Sequence, residues 1–213
     1  MHILEQRFLR GPNVHAATPC LLSVVDLGDL YGVSTRDIPH FNDALLALLP
    51  SLADYLVPTG QPGGFAQRLR EGTYLARVVE HVTLGLQCLA GAPVGFGRTR
   101  PVSGKPGQYR IVCAYQIEKV AQPAFALAVD IVDALAHGRP FELEPRLTEL
   151  RDLAGHYAIG TSTAAVLVPI AYCSARSRSS CMRDSSSNGS PWASASTMST
   201  ASANAGCATF SRW

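Results

Sequence analysis

Between Thr73 and Leu89 the apolar residues Leu75, Val78, Val79, Val82, Leu86 and Leu89 recur every three or four positions. That period predicts a helix capped by Thr73 and closed by Gly91 and Pro93, apolar around enough of its circumference to be largely buried. A helix of this kind cannot stand alone in water, so the rest of the chain must fold around it. The sequence has the material: 213 residues, 47% apolar and 16% charged, suffice for one ordinary core. On such a helix the polar residues Arg77, Glu80 and His81 are the exceptions that need a reason.

The covering elements can be placed by their boundaries. Residues 2–10 and 21–27 are short aliphatic runs bounded by Gly11-Pro12-Asn13 and Gly28, and they read as a pair of strands. Asp37 and Pro39 are expected to open a helix whose Phe41, Leu45, Leu48 and Leu49 share a face, ended by Pro50. Phe65–Leu69 is a short helical stretch, 109–115 a strand, Ala124–Ala136 a buried helix stopped by Gly138 and Pro140, and Pro145–Ala154 a more polar helix. Strands interleaved with helices imply an α/β (α+β) fold in which helices pack on a small sheet. Its strand order is not readable from the sequence.

The composition changes after residue 168. From Ala171 to Trp213 there are 13 serines and no Leu, Ile or Val. This tail cannot bury enough surface to offset its ordering entropy, so residues 1–168 are expected to form the domain and 169–213 a disordered Ser-rich tail. Arg176, Arg178, Arg183 and Arg212 against Asp184 give the tail +3, leaving −1 for the remainder of a chain of net charge +2. That balance argues against a nucleic-acid footprint. No apolar run is long enough for a membrane span or a signal peptide, and the expected location is cytoplasmic. Six cysteines without a Cys-x-x-Cys pair indicate neither a zinc knuckle nor a redox motif.

A helix bearing His-x-x-Glu-His sets two imidazoles on one face with the carboxylate beside them, the inverted zincin arrangement. Here those positions are Arg77, Glu80 and His81. A guanidinium stays protonated and offers a metal no lone pair. Only Glu80 and His81 remain as catalytic or metal-ligating candidates, short of help from His15 or His40. Arg77 is expected to pair with Glu80 three residues on.

Several strings, in order, then give the chain a family resemblance. They are Leu9-Arg10-Gly11-Pro12-Asn13, Leu48-Leu49-Pro50-Ser51-Leu52, Gly63-Gly64-Phe65, and Arg68-Leu69-Arg70-Glu71-Gly72-Thr73. The series continues through Val79-Glu80-His81-Val82, Leu86-Gln87, Leu89-Ala90-Gly91 and Val94-Gly95-Phe96-Gly97-Arg98-Thr99-Arg100. Over residues 3–165 the sequence resembles the N-terminal domain of the cyanophycin synthetase family. Such enzymes polymerise aspartate and arginine at the expense of ATP in two later domains, an ATP-grasp domain and a Mur-ligase-like domain.

The resemblance implies an N-terminal module that holds the growing polymer, cyanophycin, without ligating alone. ATP and Mg belong to the ligase domains, and no cofactor is expected in these residues. In some members this domain also trims polymer with a metal-dependent His-x-x-Glu-His-x-x-x-Glu site. That motif falls here on Arg77, Glu80, His81 and Gly85, so zinc hydrolysis is the alternative reading and is judged degenerate. A ligand of free carboxyl and guanidinium groups asks for arginines and carboxylates, and the candidates are Arg68, Arg70, Glu71, Arg98 and Arg100. The Gly63-Gly64 and Gly95-Phe96-Gly97 turns would let backbone approach a ligand. Full synthetases of the family resemble multimers, so a homo-oligomer is expected only through the whole enzyme. The tail, back-translated with permitted codons and read in another frame from about Ser177, resembles the start of the missing ATP-grasp segment, so an out-of-frame translation is the expectation set beside a disordered tail.

Overall fold

A computed structural model describes residues 1–54 and 63–158. The boundary at 168 and the Ser-rich tail lie outside the described residues. The elements run β1 (His2–Leu9), β2 (Cys20–Asp26), α1 (Phe41–Leu48), α2 (Gly64–Glu71), α3 (Leu75–Leu89), β3 (Gly97–Pro101), β4 (Gln108–Ala114), α4 (Glu118–Ala136) and α5 (Glu144–Ala158). The four strands form one antiparallel sheet in the order β1-β2-β4-β3, joining two hairpins through their later strands. The expected α+β class, with helices on a small sheet, is what is found.

Strand alternation divides the core. Leu21, Ser23 and Val25 of β2, with Ile111 and Cys113 of β4, point toward the helices and are buried. Cys20, Leu22, Val112 and Ala114 point the other way and form a smaller cluster against Leu9, Ala16, Val94 and Phe96. On the helical side α3 is central, packed against β3, β4, α4 and α5. Its apolar residues Leu75, Val78, Val79, Val82 and Leu86 are fully buried, as their spacing requires. Removing one such side chain to alanine would cost about 2–5 kcal/mol in a core this closed.

The boundaries differ from the sequence-based expectation where tertiary contacts override local signals. The first helix starts at Phe41, after His40 in the left-handed region at φ 60. Asp37 instead closes a turn of its own, its N–H bonded to the Ser34 carbonyl, so neither it nor Pro39 begins α1. Thr73 does not cap α3 with its side chain; the helix begins at Leu75 after Tyr74. The Thr73 N–H donates to the Thr35 hydroxyl at 3.0 Å, and that hydroxyl donates to the Leu69 carbonyl at 2.8 Å. These bonds tie the α2–α3 turn to the segment before α1. Helix α4 starts six residues before the expected Ala124 and carries Pro123 inside it. Burial of Val120, Ala121, Ala124 and Phe125 on one face outweighs a proline cost of about 3 kcal/mol.

Strand β3 was not expected at all. Its five residues, Gly97-Arg98-Thr99-Arg100-Pro101, carry few strand-forming side chains and are held by pairing with β4. Among the described residues no helix is long and apolar enough to cross a membrane.

Candidate functional site

Helix α3 presents Glu80 and His81 in its middle turn, where both are buried, at 2% and 6% exposure. The Glu80 carboxylate reaches β3, where Oε2 accepts a 2.5 Å hydrogen bond from the Thr99 hydroxyl. Gly97, two residues earlier on the same face of β3, makes room for it. A Cβ at Gly97 would lie 2.7 Å from Glu80 Cγ and 2.8 Å from Oε1. The bareness of Gly97 therefore admits a protein carboxylate, and not a ligand as the glycine turn alone suggested. Beneath the helix the Cys113 sulfur faces the Glu80 carbonyl at 4.0 Å.

Burial pushes the Glu80 carboxyl above its ordinary pKa, against the opposing pull of the Thr99 hydrogen bond and the Arg77 charge. Burial is also the main reason that His81 is lowered to about 3, with the Arg77 and Arg68 charges adding to it. His81 Nδ1 lies 3.7 Å from Glu80 Oε1. With a pKa so low the imidazole is neutral near pH 7, so this approach is not an ion pair. The Phe65 ring of α2 stands edge-on to the imidazole, 4.3 Å between centroids.

Arg77 does not pair with Glu80 as expected. Its Nε donates to the Tyr74 hydroxyl at 3.3 Å, and its guanidinium carbon sits 5.8 Å from the Tyr74 ring centroid. Tyr74 in turn stacks on Tyr109 of β4, 5.2 Å away. The aromatic pair draws the guanidinium along the helix, and its charge reaches Glu80 only through space. At Gly85, where the hydrolytic motif would place a carboxylate, a Cβ would lie 3.0 Å from Leu52 Cδ2.

Among the described residues no three His, Cys, Asp or Glu side chains come together in a way that could hold a metal ion. His15 lies in the β1–β2 loop, and His40 at the start of α1. The donor set at Glu80 and His81 does not fit zinc, which takes three or four protein ligands. One carboxylate already serves Thr99, and the neighbouring position is a guanidinium.

The five polymer-contact candidates fall on two surfaces. Arg68, Arg70 and Glu71 are exposed on α2, with Glu71 accepting from Gln67 at 2.6 Å. Arg68 lies near enough for its charge to act on His81. Arg98 and Arg100 alternate with Thr99, so they project from the opposite, outer face of the sheet and are exposed. There they meet Arg110 of β4, directly opposite Arg100, a residue that the sequence reading missed. Its signal was the alternation Arg110, Ile111, Val112 in a strand whose neighbour had not been recognised. Thr99 and Phe65 were missed as well, because only the fold sets them against Glu80 and His81.

Comparison with known proteins agrees with this architecture. Residues 22–137 match the family model described as cyanophycin synthase-like N-terminal domain. The chain is 41% identical over 172 residues to the cyanophycin synthetase of Synechocystis sp., an alignment covering 78% of this chain and 20% of that protein. It is 40% identical over 168 residues to that of Crocosphaera subtropica, covering 76% and 19%, and 38% identical over 173 residues to that of Geminocystis herdmanii, covering 78% and 20%. The chain thus spans about a fifth of the length of the curated relatives it matches. With the helix, sheet and family strings in register, the chain belongs to the cyanophycin synthase-like N-terminal domain family.

Proposed function

We propose that this chain is the polymer-holding N-terminal module of a cyanophycin synthetase, binding the Asp–Arg polymer without cutting it. Amide-bond formation, with its ATP and Mg, is assigned to other domains of the synthetase. The observation that carries the reading is the outer face of the β3–β4 hairpin. Arg98, Arg100 and Arg110 crowd together there, and no carboxylate lies within ion-pair distance among the described residues. Like charges directly opposite on paired strands repel, and a bound carboxylate relieves that repulsion. The Glu80–Thr99 bond, the Tyr74-bound Arg77 and the packed Gly85 favour holding over hydrolysis, because they occupy the positions a metal site would need.

Fluorescence anisotropy with a labelled Asp–Arg oligomer tests this. The chain should bind saturably and weaken with added salt. The triple variant Arg98→Ala, Arg100→Ala, Arg110→Ala should bind about tenfold or more weakly, each charge-assisted contact being worth on the order of 1 kcal/mol or more. Equal binding by the variant, or no binding by either protein, would remove the reading.

A further inference from the structure

The parity of the β3–β4 ladder shows which backbone groups of β3 are spoken for. The Ala114 N–H donates to the Phe96 carbonyl and the Val102 N–H to the Gln108 carbonyl, both at 2.9 Å and both between directly opposed residues. Antiparallel pairs alternate between bonded and non-bonded. The even-numbered residues Arg98 and Arg100 therefore spend their N–H and C=O groups on β4, while those of Gly97 and Thr99, and the C=O of Pro101, point away from it. On that side β3 has no strand neighbour among the described residues, since it ends their sheet, although Thr99 itself is buried. The other sheet edge is treated differently: β1 has a register irregularity between Ile3 and Glu5, and Glu5 pairs with Arg7 at 2.9 Å. Irregular edges resist pairing. Strand β3 keeps a regular register over all five residues.

The geometry points to strand addition: the extended main chain of the Asp–Arg polymer lies along β3 as a further strand, bonding the outward groups of Gly97, Thr99 and Pro101. This inference rests on the polymer-holding reading and gives it a binding mode. The charges on the outer face of the edge select the occupant. Side chains of an added strand alternate between faces. Those on the outer face would meet Arg98 and Arg100, with Arg110 behind them. Carboxylates repeated along an extended peptide backbone match that row of arginines. A folded acidic protein would offer its carboxylates without a free strand, and an isolated carboxylate would leave the edge unused.

The test uses the whole chain and three synthetic Asp–Arg oligomers of equal length: unmodified, N-methylated at every second backbone nitrogen, and N-methylated in one contiguous run over its entire length. An added strand can turn its unmodified nitrogens toward β3, so the alternate oligomer should bind within about threefold of the unmodified one. The contiguous one should lose about tenfold or more, having no donor to give the Gly97 and Thr99 carbonyls. In parallel, amide hydrogen exchange followed by NMR should slow at Gly97 and Thr99 on binding, with little change at Arg98 and Arg100, whose amides already serve β4. If the unmodified and contiguous oligomers bind alike, or the Gly97 and Thr99 amides do not respond, strand addition is overturned while polymer holding survives. If no oligomer binds, both fall together.

Discussion

Gly97→Ala should destabilise the protein by roughly 1.5–3 kcal/mol, although the same change in an unremarkable strand position is favourable by about 0.5–1 kcal/mol. The Cβ arrives 2.7 Å from Glu80 Cγ, 2.8 Å from Oε1 and 3.0 Å from Cδ. Carbon atoms rest at about 3.5–4.0 Å, so the Glu80 side chain must retreat by about 1 Å. It has little room, because Oε2 is bonded to the Thr99 hydroxyl at 2.5 Å and the residue is buried. Overpacking costs about 1–3 kcal/mol and a lost hydrogen bond to a buried acid about the same, two effects that overlap because one movement causes both. The Gly97 backbone is not in the left-handed region, so no strain of the new residue itself enters the sum. Thermal denaturation should show a fall of about 3–12 °C at 2–4 °C per kcal/mol. In a Glu80→Ala background the same change should cost almost nothing. A variant as stable as the parent, or an equal loss in both backgrounds, would refute the claim that Gly97 exists to admit Glu80.

Other outcomes follow from the charges. The Glu80 pKa is raised on folding, so its contribution is present below the ordinary value of 4.5 and is lost as pH rises through the folded value. The folded His81 pKa is depressed from 6.5 to about 3, so its contribution is present above 6.5 and is lost as pH falls toward 3. The two oppose each other in mildly acidic solution. Glu80→Gln should leave the His81 trend alone, so that urea midpoints rise steadily with pH over that window; an unchanged pH profile would contradict the assignment. Arg77→Ala removes one cation acting on His81 and should raise the imidazole pKa while leaving it below 6.5, read from NMR titration of the ring. On the surface, Asp29 accepts from His137 Nε2 at 3.1 Å and holds that imidazole above its ordinary pKa. The stability this gives is present below pH 6.5 and disappears as pH rises through the raised value, and Asp29→Asn should weaken that dependence, leaving the part owed to Asp133.

The central helix was legible because its apolar period is strong, and burial of one face needs no knowledge of what covers it. Its exceptional residues were legible too, since Arg77, Glu80 and His81 break that period. Their partners were not. Thr99 meets Glu80 only because β3 pairs with β4, and β3 has glycine, proline and two arginines in five residues. Once that strand is hidden, the role of Gly97 is misread as a ligand turn and Arg110 is overlooked. The Arg77–Glu80 pair was a fair reading of helix spacing, and it lost to Tyr74, whose hydroxyl and ring are held by stacking on a residue 35 positions away. Caps failed for a similar reason: Thr35 and Thr73 serve each other across the fold.

The most direct test of the central claim is the mass of the polymer after it has been bound. A defined Asp–Arg oligomer is incubated with the chain in the presence of added zinc, the complex is isolated by gel filtration, and the oligomer is weighed by mass spectrometry. Holding without cutting predicts an oligomer that elutes with the protein and keeps its full mass. Zinc-dependent shortening of the oligomer would contradict the account, and would make the Glu80–His81 pair a working site in spite of Arg77 and Gly85.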